Sequence, residues 1–128
     1  MERIIGRRFA EAQIAARLRA LSPQHRIMTC PPQDLAYCHS ARNPTEYAEL
    51  REDMDHLLPA LMHPTASQAL DIQQALWNCG LIRAAGALDC LIAACAVAND
   101  AIILNSDRDF AYIADATGGN VRQEFIPE

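Results

Sequence analysis

Three aspartates stand where the chain could do chemistry. Asp107 and Asp109 follow at once on a short apolar run, Ala101-Ile102-Ile103-Leu104, which reads as a buried strand. In open α/β sheets, ligands bind beyond the carboxyl ends of the strands. Asp89 stands in the first turn of an apolar helix expected from Ala87 to about Asn99, marked by Leu88, Leu91, Ile92, Cys95 and Ala96. Carboxylates that gather repel one another unless a cation joins them. Magnesium and manganese prefer such oxygen ligands. They activate bound water and stabilise charge on a phosphate. Each aspartate also has a plainer reading: Asp89 as a charge favoured at a helix N-terminus, Asp107 as an N-cap, Asp109 as a first-turn charge. The return from helix to strand does not by itself bring Asp89 to the other two, so their meeting depends on tertiary contact.

The remaining reactive residue types are scattered. Cys30, Cys38, Cys79, Cys90 and Cys95 form no CxxC pair, and His25, His39, His56 and His63 give no zinc-ligand spacing. Buried free thiols in a reducing cytoplasm are expected. Arg42 could hold a phosphate. It could equally pair on the surface with Glu46 or Glu49.

The elements that must position these residues are read from periodicity and punctuation. Phe9, Ile14, Leu18 and Leu21 suggest an amphipathic helix from about Ile4 to Ala20, ended by Ser22-Pro23. Ile27 to Cys30 suggests a short strand. Helices follow from Pro32 or Gln33 to about Ala41, from Glu46 to about Leu58, and from about Ala66 to Cys79, with Gly80 as a stop. The stripe Leu50, Met54 and Leu57 suits a core face or a site for a partner helix. After the 101–104 strand come a helix over Asp107–Ala116 and a last strand over Val121–Ile126. Strands separated by helices imply an α/β fold with a parallel sheet.

Composition narrows the function class. The 128 residues fit one domain, 51% hydrophobic and 21% charged. A net charge of −5 argues against a general nucleic-acid coating protein. Nucleic-acid chemistry would have to be local and metal-assisted. No signal peptide is visible, and no run approaches the ~18 apolar residues of a membrane span. A cytoplasmic protein with no membrane partner is expected.

Read together, the segments resemble a known family. Ala87-Leu88-Asp89-Cys90-Leu91-Ile92-Ala93-Ala94 and Ile103-Leu104-Asn105-Ser106-Asp107-Arg108-Asp109-Phe110 resemble the two C-terminal motifs of PIN-domain ribonucleases of the VapC toxin type. Thr29-Cys30-Pro31-Pro32 and Tyr37-Cys38-His39-Ser40-Ala41-Arg42 resemble the middle of such toxins. The resemblance implies a three-layer sandwich with a central, mainly parallel sheet flanked by helices. It also implies a magnesium- or manganese-dependent endoribonuclease acting on RNA, with a cognate VapB-like antitoxin and a possible homodimer. Asp89 and Asp107 would be the catalytic, metal-binding acids, Asp109 a supporting acid, and Arg42 a phosphate contact.

Two departures stand out. The family's first strand, which ends in an aspartate, is expected to be absent here, leaving a single domain over residues 1–128 truncated at its start, or a reading frame that begins upstream. Loss of that strand would expose unpaired ladder edges, with low solubility or pairing with another chain as the consequence. The family's middle-helix glutamate corresponds to Ala36, which cannot bind metal. Asp34, two residues away, lies about 200° around the helix. Two readings follow: an active ribonuclease toxin, or a PIN-like protein that holds an antitoxin without cleaving RNA.

Overall fold

The computed structural model describes residues 2–5, 20 and 26–127. In chain order they form β1 (Glu2–Ile5), β2 (Arg26–Thr29), α1 (Pro31–His39), α2 (Pro44–Met54), β3 (Leu58–Pro59), α3 (Ala66–Asn78), α4 (Ala87–Ala98), β4 (Ala101–Asn105), α5 (Asp109–Ala116) and β5 (Arg122–Phe125). The strands make one sheet in the order β3-β2-β1-β4-β5, and every pairing is parallel.

The expected absence of a first strand is overturned. Glu2–Ile5 is a strand at the centre of the sheet, with Ile4 paired to Met28 on one side and Ile103 on the other. The helix expected from Ile4 begins inside this strand. Its remaining span, apart from Ala20, lies outside the described residues. Because β1 bridges β2 and β4, the unpaired edges expected from its loss do not arise. Glu2 pairs with Ala101 at the amino end of the strands. Three residues at about 3.3 Å each separate it from the carboxyl end. The strand therefore ends on Ile4 and Ile5, without a carboxylate.

The sheet's left edge is short for a chemical reason. Pro59 has no N–H to donate to a further strand, so β3 suits an edge position. It closes against β2 through Met28 and Thr29, and Ala60 N–H donates to the Thr29 carbonyl at 2.9 Å. The helix expected to run to Leu58 stops at Met54.

The core forms where apolar runs meet. Ile92, Ala93, Ile103, Phe110 and Ile113 are all fully buried around α4, β4 and α5. Helices α3, α4 and α5 pack on one another, α1 packs on α2, and α1 also meets α4. Met54 is buried against Tyr37 and Cys38, with Leu50 and Leu57 packed beside them. The stripe Leu50, Met54 and Leu57 thus packs inward as core, with Met54 buried.

Candidate metal centre

Helix α4 returns antiparallel to β4, and the lengths match. Asp89 to Ala98 climbs about 14 Å at 1.5 Å per residue. Ala101 to Asn105 spans about 13 Å. The first turn of α4 therefore stands level with the end of β4. The tight connection makes this possible: Asp100 adopts φ +50°, a left-handed conformation that aspartate tolerates. The tertiary contact on which the meeting of Asp89 with the other two depends is supplied by this reversal.

The result is a group of three carboxylates. Asp89, Asp107 and Asp109 each offer an oxygen, and the three oxygens lie within 4.8 Å of one another. Among the described residues, no other set of three or more His, Cys, Asp or Glu residues forms such a group. Asp89 is 1% exposed, and the other two are partly buried. Gly86 N–H donates to Asp89 Oδ2 at 3.4 Å, which turns the carboxylate back over the helix start.

Asp107 and Asp109 are placed by consecutive side-chain turns. Asn105 Oδ1 accepts from Asp107 N–H at 3.1 Å, and Asp107 Oδ1 accepts from Asp109 N–H at 3.0 Å. Asn and Asp favour such turns because their short side chains reach the backbone two residues on. Asn105 itself is fully buried, and its Nδ2 reaches Gln123 Oε1 at 3.1 Å and the carbonyls of Ile103 and Glu124 at 3.3 Å. Ser106 Oγ donates to the Ile126 carbonyl. The guanidinium of Arg108 lies 5.3 Å from the centre of the Phe125 ring. The loop between β4 and α5 is thus anchored on β5.

Three negative charges this close cost free energy that a cation would offset. All-oxygen donors suit a hard divalent ion, which often binds through a few carboxylates and keeps several waters. The donor set therefore fits magnesium or manganese. It does not fit zinc held by thiolates. The five cysteines are free, four of them buried and Cys79 exposed.

Other residues singled out from the sequence lie elsewhere. Arg42 is bound to Glu46 through Nε at 3.0 Å and Nη2 at 2.9 Å, with its side chain 84% exposed. This ion pair draws the Glu46 carboxyl below its ordinary value. Asp34 sits in the first turn of α1 and accepts a 2.6 Å hydrogen bond from Thr29 Oγ1. Burial raises its carboxyl above the usual range, against the lowering effect of that hydrogen bond. Ala36 is partly buried on α1 and offers only a methyl group.

Comparison with solved structures shows a fold that the chain shares. The chain superposes with a TM-score of 0.73 on a chain from the crystal structure of VapBC2 of Rickettsia felis bound to a DNA fragment from their promoter. The match covers 98% of this chain and 99% of that one, at 15% sequence identity. The two share a fold. No protein-family model and no curated protein matches the chain. Among the described residues, no helix is long and apolar enough to cross a membrane.

Sequence reasoning gave Asn105 no role, although it is the residue that holds the two loop aspartates in place. The available signal was its position: an asparagine directly after an apolar run, with Asp two residues on, is a side-chain turn.

Proposed function

We propose that this protein is the toxin of a type II toxin–antitoxin pair, a PIN-like endoribonuclease that depends on Mg²⁺ or Mn²⁺. The observation that carries this reading is the convergence of Asp89, Asp107 and Asp109 at the carboxyl edge of a parallel sheet. The fold shared with a chain of a VapBC2 complex supports it. On this reading residues 1–128 are one domain, a three-layer sandwich. Right-handed crossovers would set α1 and α2 on one face of the sheet and α3 to α5 on the other.

Asp89 and Asp107 would hold the ion, with Asp109 in support. When bound, the ion would supply an activated water and charge stabilisation at a scissile phosphate. The protein's own part is positional. The side-chain turns from Asn105 fix two carboxylates, and the start of α4 presents the third. Arg42 is a candidate phosphate contact that would exchange Glu46 for RNA. Arg42→Ala would then weaken RNA binding and leave Mn²⁺ affinity unchanged. A VapB-like antitoxin and a second copy of the chain are the proposed protein partners.

A second reading has a specific observation behind it. Neither the end of β1, at Ile4 and Ile5, nor Ala36 on α1 provides an acid. A protein whose site holds Asp89, Asp107 and Asp109 and no acid from β1 or α1 could bind an antitoxin without cleaving RNA. Incubating structured RNA with the purified protein and Mn²⁺ separates the two. Cleavage that disappears in Asp89→Asn supports the enzyme. Intact RNA beside tight antitoxin binding supports the non-cleaving partner.

A further inference from the structure

Helices α1 and α4 both begin at the carboxyl edge of the sheet: α1 follows directly on β2, and α4 returns antiparallel to β4. They pack against each other. Each buries one polar side chain in its first turn. On α4 this is Asp89, 1% exposed. On α1 it is Gln33, 0% exposed. Among the described residues, neither Oε1 nor Nε2 of Gln33 has a hydrogen-bond partner.

A primary amide so deeply buried is expensive unless something satisfies it. Its own helix does not. Cys30, directly before α1, and Cys95 on α4 lie in the same buried cluster. The first turn of α1 is therefore tied to α4, the helix that carries Asp89. Ala36, one turn further along the same face as Gln33, has no donor or acceptor in its side chain.

Three carboxylates leave positions open around a hard cation, which takes six or more oxygens. An amide oxygen is a suitable neutral ligand, and an amide is equally suited to hold one of the ion's waters. We infer that Gln33 is the α1 contribution to the cation site, with its side-chain amide serving the ion at Asp89, Asp107 and Asp109 directly or through one water. This rests on the reading of the three aspartates as a cation site.

The test is titration calorimetry of metal-free protein with MnCl₂, together with thermal unfolding in the absence of metal. The proteins are wild type, Gln33→Leu, Gln33→Met, Gln33→Glu and Asp89→Asn. The apolar variants are expected to melt no lower than wild type without metal, because they remove an unsatisfied amide. They are expected to bind Mn²⁺ about tenfold more weakly. Gln33→Glu is expected to bind Mn²⁺ more tightly than wild type. If wild type binds Mn²⁺, Asp89→Asn does not, and every folded Gln33 variant binds as wild type does, the role of Gln33 is refuted and the cation site stands. If wild type binds no Mn²⁺, the cation site falls and the role of Gln33 with it.

Discussion

Asp107 Oδ1 accepts the backbone N–H of Asp109 at 3.0 Å. This bond joins two of the three carboxylates through the chain that separates them. The same loop is held from below by Asn105, whose Oδ1 takes the N–H of Asp107. The site is thus an extension of the sheet edge and not a mobile loop laid over it.

Asn105→Ala removes the side chain that links this loop to β5 and leaves buried groups without partners. A loss of about 2–3 kcal/mol in unfolding free energy is expected. Chemical denaturation measures it. A loss below about 0.5 kcal/mol would show that the loop does not depend on this residue.

The three carboxylates repel one another in metal-free protein. Asp89→Asn lowers that repulsion at nearly constant shape, so the variant is expected to unfold at a higher temperature than wild type without metal. Added Mn²⁺ should raise the wild-type melting temperature and leave the variant's unchanged. Equal metal-induced shifts in both proteins would place the ion elsewhere.

Asp34 gives a pH dependence. Its folded carboxyl is raised above the ordinary value of 3.8, chiefly by burial. The folded state therefore holds this proton more tightly than the unfolded chain. The resulting stability is fully present below the unfolded value and is lost as pH rises through the folded one. Asp34→Asn keeps an acceptor for Thr29 Oγ1 and removes the ionisation. Unfolding curves should show the variant gaining stability over wild type as pH rises from about 4 to 7. A difference that is constant across that range would mean that Asp34 does not titrate as described.

Thiol accessibility checks the packing. Cys79 is exposed, and Cys30, Cys38, Cys90 and Cys95 are buried. Under native conditions one thiol should react rapidly with an aromatic disulfide reagent, and Cys79→Ser should abolish that phase. Rapid reaction of several thiols would contradict the core as described.

Much of the site was legible in the sequence because local chemistry encodes it. The apolar 101–104 run ends on Asn and Asp, and those residues fix their own turns. Helix α4 is apolar on nearly every side, and such a helix can only be buried. The strand Glu2–Ile5 was not legible. Its four residues hold their place through the β2 and β4 ladders, and those partners lie more than 20 residues away in the chain. The short β3 is likewise defined by its pairing with Met28 and Thr29 and not by any pattern of its own. The arrival of Asp89 beside Asp107 follows from matched lengths of helix and strand, a relation that periodicity alone does not express. The silent burial of Gln33 is also a tertiary fact. In the sequence it is one more polar residue in a first helical turn.

The central claim is that Asp89, Asp107 and Asp109 jointly hold one divalent cation. Titration calorimetry of metal-free protein with MnCl₂, repeated on Asp107→Asn, tests it most directly. The account predicts one Mn²⁺ per chain in wild type and a loss of affinity of at least about tenfold in the variant. Absence of binding in wild type, or equal binding in both proteins, would contradict it.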